Sequence, residues 1–82
     1  MTIKVLGPGC RRCQQLYLEA VFAVEQTGVQ VDLVKVEDFR AVLQYGIMST
    51  PAIVIDDQLK ASGRIAPAAE IAGWIEEASA AA

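Results

Sequence analysis

The first 36 residues carry strand-like and helix-like patterns in an order that restricts the fold. Residues 2–6 (TIKVL) are mostly β-branched and apolar and end at a Gly-Pro-Gly turn, which is typical of a strand. Apolar side chains then recur at helical spacing over residues 13–24, and Gly28 follows as a C-terminal cap. A second strand-like run occupies residues 29–36. Parallel strands joined by a helix need a right-handed crossover, so this helix covers one face of a sheet.

The second strand-like run (VQVDLVKV) is apolar at positions of both parities, so we expect a strand that is buried on both of its faces. Asp38 is a suitable N-cap for a short helix at residues 39–45, and Gly46 ends that helix. The first half of the chain therefore has the order βαβα.

The C-terminal half adds a hairpin and a last helix. The segments AIVID and QLKAS form the hairpin, with Asp56 and Asp57 in its tight turn. Apolar residues at helical spacing after Pro67 predict the final helix, and residues 79–82 are expected to form a frayed, alanine-rich tail. The pattern βαβαββα predicts a single α/β domain over residues 1–82, with a four-stranded mixed sheet flanked by three helices.

Composition and charge exclude several classes of partner. Hydrophobic residues make up 54% of the chain and charged residues 21%, which is the balance of a folded domain. The formal charge of −3 gives no reason to expect binding to nucleic acid or to an anionic membrane. No apolar run approaches the roughly 20 residues of a membrane span, and no secretion signal opens the chain. We therefore expect a cytoplasmic protein.

The chemistry of the chain rests on two thiols. Cys10 and Cys13 are its only cysteines, and histidine is absent. Without histidine, a Cys-His catalytic pair and every histidine-containing zinc site are excluded. Two cysteines are too few for the disulfide framework of a small secreted domain, so their C-x-x-C spacing suggests redox or metal chemistry.

The two cysteines are not equivalent in the predicted fold. Cys10 lies where a strand ends and a helix begins, so unpaired helix N–H groups and the helix dipole stabilise its thiolate. Arg11 and Arg12 add positive charge beside it, and we expect a lowered pKa for the Cys10 thiol. Cys13 begins the inward-facing stripe and should be more buried. These positions favour Cys10 as the nucleophile and Cys13 as the resolving thiol.

Three other interpretations of the cysteine pair stay open from the residues alone. Both cysteines can be ordinary small buried residues. They can also hold a soft metal ion such as Cu(I) or Zn(II) in a carrier, although two thiolates leave tetrahedral zinc half-ligated. The chain can finally be a non-catalytic adaptor in which the cysteines are incidental.

The segments VLGPGCRRCQQL, YGIMSTPAIVID and ASGR together resemble the thioredoxin/glutaredoxin superfamily over nearly the full length. The closest resemblance is to its small thioredoxin-like redox-active disulfide proteins. It implies a thioredoxin-like fold and a thiol-disulfide oxidoreductase that acts through a Cys10–Cys13 couple, without a bound cofactor or metal. It also implies that the Thr50–Pro51 bond is cis, although most X-Pro bonds are trans.

The resemblance further implies a groove over Cys10 that takes an extended substrate segment. Substrate would add as a strand against Thr50, which precedes Pro51. The residues expected to bind substrate are Thr50, Pro51, Gly9, Arg11, Arg12 and Met48, with Gly7 and Pro8 as neighbours.

Some family features are replaced in this chain. Many thioredoxins carry a buried acid in the strand beneath the cysteines, where the first strand here offers Lys4. Ser62-Gly63-Arg64 stands where glutaredoxins share a Gly-Gly-x-Asp-like turn, so glutathione is not favoured as a dedicated partner. The implied partners are protein disulfides and, as reductant, a thioredoxin reductase-like enzyme or a low-molecular-weight thiol.

Leu18 and Phe22 lie one helical turn apart and away from the inward stripe of the first helix. Packing under a neighbouring loop is the expected role of this pair, and an interaction patch is the alternative. We accordingly expect a monomer or a weak homodimer.

Overall fold

The computed structural model describes residues 1–9, 11–46 and 49–80. Its elements follow the predicted order βαβαββα. The strands and helices are β1 (Thr2–Leu6), α1 (Arg11–Thr27), β2 (Asp32–Val36), α2 (Phe39–Gln44), β3 (Ala52–Ile55), β4 (Gln58–Ser62) and α3 (Ala68–Ala80). Of the helices in these ranges, none is long and apolar enough to cross a membrane.

The four strands form one mixed sheet in the order β2-β1-β3-β4. Strand β1 pairs in parallel with β2 and antiparallel with β3, and β3 pairs antiparallel with β4. The predicted α/β architecture, with a four-stranded mixed sheet and three helices in a thioredoxin-like arrangement, is confirmed.

The main core lies between the sheet and the two long helices. Helices α1 and α3 pack against each other over one face of the sheet. The fully buried residues of this core include Ile3 of β1, Leu16 of α1, Ile53 of β3, and Ile71 and Ile75 of α3. Their helical and alternating spacing is the pattern that predicted these elements.

A smaller core covers part of the opposite face. Leu6, Ala52 and Val54 are buried there beneath Val42 of α2. Because α2 has only six residues, it does not cover the whole face, and Val34 of β2 is 40% exposed.

The expectation that the second strand is buried on both faces is therefore wrong. Strand β2 lies at the edge of the sheet, and all of its residues are exposed or only partly buried. It is also shorter than predicted, since it begins at Asp32, opposite Thr2 at the start of its partner β1. The strand with four buried residues is β3, which has a neighbour on each side.

Local signals at the other termini agree with the structure. The Asp38 carboxylate accepts a hydrogen bond from the amide of Arg40 at 3.0 Å, so this residue caps α2 as predicted. Asp56 and Asp57 both have positive φ, 48° and 66°, as a two-residue type I′ hairpin turn requires. Helix α3 extends to Ala80 and includes two residues of the expected tail, while residues 81 and 82 lie outside the described ranges.

The Leu18–Phe22 pair is exposed to solvent. These side chains are 55% and 57% accessible, so the expected packing beneath a loop does not occur in the isolated chain.

Leucine-to-alanine substitutions in α1 should show that a buried core residue contributes more to the free energy of unfolding than a residue of this exposed pair. Leu16→Ala removes a fully buried side chain and should lower the free energy of unfolding by about 2–5 kcal/mol. Leu18→Ala, the control on the exposed side of the same helix, should change it by no more than about 0.5 kcal/mol. Urea unfolding followed by circular dichroism measures both values, and equal losses would contradict this description of the core.

Candidate active site

The candidate site lies at the edge of the sheet where the parallel strands end. Leu6, the last residue of β1, is paired with Val36 at the end of β2 and with Ala52 at the start of β3. The amide of Gly7 donates to the carbonyl of Val36 at 2.9 Å, so the pairing continues one residue beyond β1. The loop that leads into α1 therefore starts from a fixed position.

Cys13 lies in the first turn of α1 and faces this loop. Its side chain is buried, with 6% of its surface exposed. A Cβ atom built on Gly7 would lie 2.3 Å from the Cys13 Sγ and 3.7 Å from the Thr50 Cβ. Gly7 is buried and has room for no side chain, because the thiol occupies that space.

Thr50 and Pro51 lie at the same edge of the sheet, immediately before β3. Their peptide bond is cis, the isomer that the resemblance implies, and Pro51 is buried immediately before β3. The amide of Gly63 donates to the Pro51 carbonyl at 2.9 Å. Gly63 has a φ of 74°, and a Cβ there would lie 2.9 Å from the Ser49 Cβ, so only glycine suits this position.

The two arginines between the cysteines are both exposed but differ in their contacts. Arg12 Nη2 donates to the carbonyl of Gly63 at 3.1 Å. Through Gly63, the first turn of α1 is thus connected to Pro51. The Arg11 side chain makes no hydrogen bond or ion pair with any residue of the described ranges.

A pocket of about 220 Å³ opens beside the Cys13 thiol on the side of β2. Its lining consists of Val5, Gly7, Pro8, Gly9, Cys13, Gln14, Lys35 and Glu37. The Glu37 carboxylate comes within 3.4 Å of a Cβ built on Gly9, and the Lys35 ammonium lies 4.4 Å from the centre of the Tyr17 ring.

Lys35 and Glu37 were not among the predicted site residues. The sequence signal that could have identified them is their place on either side of Val36, at the end of β2. Because two adjacent parallel strands end at the same edge of a sheet, residues at the end of β2 lie near the loop that follows β1.

Lys4 belongs to the other face of the sheet. Its ammonium group donates to the Tyr45 hydroxyl at 2.6 Å, beside α2. This hydrogen bond raises the pKa of Lys4 above its usual value. The residue that stands in β1 in place of a family acid is therefore directed away from Cys13.

Arg64 follows β4 at the same edge as the site, and its side chain contacts residues of α3. Its guanidinium forms a two-point ion pair with the Glu70 carboxylate and lies 5.9 Å from the centre of the Trp74 ring. The hydrogen bonds from Arg64 lower the pKa of Glu70 and raise that of Arg64.

Of the predicted site residues, the structure brings Gly9, Arg11, Arg12, Thr50 and Pro51 to one edge together with Cys13. Cys10 and Met48 lie outside the described residues, and their predicted roles remain predictions.

A four-stranded mixed sheet with a cis-proline before β3 and a buried cysteine in the first turn of α1 defines the class as α/β and thioredoxin-like. The family model described as a thioredoxin domain matches residues 1–76. Two curated proteins named thioredoxin are also similar over 71 residues. The one from Methanothermobacter thermautotrophicus is 34% identical, covering 87% of this chain and 92% of the relative. The one from Methanocaldococcus jannaschii is 32% identical, covering 87% and 81%.

The chain belongs to the thioredoxin family. It is a thioredoxin-like redox protein, and its general class is that of the thiol-disulfide oxidoreductases. The family resemblance carried by its cysteine and proline segments is confirmed.

Gly7→Ala should disturb the site directly. The new methyl group would overlap the Cys13 sulfur, so we expect a loss of about 1–3 kcal/mol in unfolding free energy and a displaced thiol. Gly73→Ala in α3 is the control. It meets nothing within 4 Å and should stabilise the helix by up to about 1 kcal/mol. Denaturant unfolding gives both values, and an unaffected Gly7→Ala protein would contradict the close approach.

Arg64→Gln should raise the pKa of Glu70 toward its ordinary value, because the hydrogen bonds that hold it down are lost. In the unaltered protein, the ion pair favours folding above the ordinary glutamate pKa, and this contribution is lost as the pH falls through the lowered value. An NMR titration of the Glu70 carboxyl group measures the shift. Arg40→Gln removes a cation from α2 instead and should leave the Glu70 titration unchanged.

Proposed function

We propose that the protein reduces disulfides of protein substrates through a dithiol/disulfide couple formed by Cys10 and Cys13. The observation that carries the proposal is the Cys13 thiol, buried in the first turn of α1 against Gly7. The cis Thr50–Pro51 bond lies at the same edge. Membership of the thioredoxin family supports the same chemistry.

The exchange proceeds in two steps. The Cys10 thiolate attacks one sulfur of a substrate disulfide, a mixed disulfide forms, and the other substrate sulfur leaves as a thiolate that takes up a proton. Cys13 then loses its proton and attacks the Cys10 sulfur, which releases the second substrate thiol. Two electrons and two protons pass to the substrate, and the protein is left with a Cys10–Cys13 disulfide.

The helix terminus supplies the electrostatics of the first step. The unpaired amides of the first turn of α1 and the guanidinium groups of Arg11 and Arg12 favour a thiolate at Cys10. Cys13 is buried, and burial disfavours its thiolate until the mixed disulfide forms beside it. The pocket next to Cys13 supplies solvent for its proton, and Glu37 is a carboxylate in the lining of that pocket.

Substrate recognition is proposed at Thr50, Pro51, Gly9, Arg11, Arg12 and Met48. Thr50 directly precedes the cis-proline, and its backbone would pair with an extended substrate segment. Gly9 precedes the nucleophile in the loop after β1, the two arginines follow it in the first turn of α1, and Met48 is assigned from the family resemblance.

We propose that no bound cofactor or metal takes part, since the disulfide itself carries the two electrons. The oxidised protein would be reduced by a thioredoxin reductase-like enzyme or by a low-molecular-weight thiol. The cytoplasm, a reducing compartment, is the proposed location.

Cysteine-to-serine variants test the proposal. The protein should catalyse insulin reduction in the presence of dithiothreitol, and Cys10→Ser should abolish the catalysed rate because the attacking sulfur is gone. The Cys13→Ser protein should still carry out the first step, the attack of Cys10 on the substrate disulfide. It should then accumulate the mixed disulfide, which mass spectrometry detects. Binding of stoichiometric Cu(I) without insulin turnover would instead support a metal carrier. Partner binding that survives both substitutions, again without turnover, would support an adaptor.

The pH dependence of alkylation tests the nucleophile. In the Cys13→Ser protein, the iodoacetamide reaction of Cys10 should have its midpoint well below about 8.5, the pKa of a free cysteine. Arg11→Gln should move the midpoint upward, since it removes a positive charge beside the thiolate. Lys60→Gln on β4 is the charge-matched control and should leave it unchanged. A midpoint at or above that of free cysteine would contradict an activated nucleophile.

A further inference from the structure

The charged residues of the chain are segregated along the direction of the strands. We define the site end as the last two residues of β1 and of β2 with the loops that follow them, the neighbouring loops of β3 and β4, and the first turns of the three helices. It carries five cations, Arg11, Arg12, Lys35, Arg40 and Arg64, and three acids, Glu37, Asp38 and Glu70. Its formal balance is +2, in a chain whose net charge is −3.

The rest of the chain has two lysines and seven acids, a formal balance of −5. Most of these acids lie at the opposite end of the sheet and helices. They include Asp32 at the start of β2, the two residues of the β3–β4 turn, and acids near the ends of α1 and α3. Glu77 and Asp56 line one pocket there, which places the end of α3 beside the hairpin turn.

The site-end acids are largely occupied within the protein. Glu70 is paired with Arg64, and the Asp38 carboxylate caps α2. Arg64–Glu70 is the one ion pair among the described residues. The positive charges of Arg11 and Arg40 therefore face solvent without an ion-pair partner in the described ranges.

Two further cations at this end contact uncharged groups of the protein. Arg12 donates to the neutral carbonyl of Gly63, and Lys35 lies over the Tyr17 ring. Neither contact supplies a compensating negative charge. These two cations therefore add uncompensated positive charge beside Gly63 and the pocket that Cys13 lines.

We infer that the site end is a docking surface for an acidic partner, namely a protein whose reducible disulfide is flanked by aspartate and glutamate. The inference rests on the proposed function and adds a substrate class to it. The positive end attracts such a partner, while the acidic far end repels it, so that encounters favour the orientation in which the disulfide meets Cys10. The same field repels a basic partner.

Three matched disulfide peptides test this inference. They share one backbone and one intramolecular disulfide and differ only in the residues beside each cysteine, which are Glu, Gln or Lys. Reduced protein, freed of other thiols, is mixed with each peptide, and quenched samples give the second-order rate constant. At low ionic strength, the Glu peptide should react about tenfold faster than the Lys peptide, and the ratio should approach one at 0.5 M salt.

The Glu/Lys rate ratio is the decisive readout in variants. Arg40→Gln on α2 should lower the ratio about two- to threefold, because it weakens the field at the site end. Arg11→Gln should lower it as well, and any change in thiolate reactivity cancels in the ratio. Lys60→Gln removes the same charge from β4 and should leave the ratio unchanged.

The outcomes are distinguishable. Equal rates for the three peptides, or a preference that salt does not reduce, would overturn the inference and leave the proposed function standing. A ratio that responds to Lys60→Gln as strongly as to Arg40→Gln would also overturn it, since net charge alone would then explain the preference. If the protein reduces none of the peptides and does not reduce insulin, the proposed function fails, and the inference fails with it.

Discussion

The hydrogen bond from the amide of Gly7 to the carbonyl of Val36 is the contact on which the site depends. It extends the pairing of β1 and β2 into the loop that precedes α1, so the sheet fixes where that loop begins. Gly7 has no side chain, and the Cys13 thiol fills the space beside it. The position of the Cys13 sulfur is therefore set by strand pairing and close packing within a domain of only 82 residues. A larger side chain at this one position would disturb both.

A second connection joins segments that are far apart in the chain. Arg12 donates to the carbonyl of Gly63, and the amide of Gly63 donates to the carbonyl of Pro51. One residue after β4 thus links the first turn of α1 to the cis-proline before β3. Its positive φ, and the overlap with the Ser49 side chain that a Cβ atom there would create, explain why glycine occupies this position. The Arg-Arg pair between the cysteines consequently divides into one arginine with a structural contact and one, Arg11, whose charge faces solvent.

The charges of this small domain are distributed unequally between its two ends. Its acids accumulate at the hairpin turn and at the ends of the long helices, while its arginines cluster around the loops of the site. The net charge of −3 describes neither end. An overall acidic composition argued against nucleic acid as a partner, yet the site end has the field of a surface that attracts anions. The partner class that we infer rests on where the charges lie, because electrostatic steering acts through local fields.

By itself, the sequence determined the order βαβαββα, the Asp38 cap, the hairpin turn and the family, because these depend on local periodicity, capping chemistry and short motifs. It did not reveal that β2 is an exposed edge strand, because its valines have the same pattern whether or not a neighbour covers them. Only the tertiary structure decided that Lys35 and Glu37 line the pocket beside Cys13, and that Gly63 joins Arg12 to Pro51. Those contacts arise from strand order and register, which bring together residues that no local pattern connects.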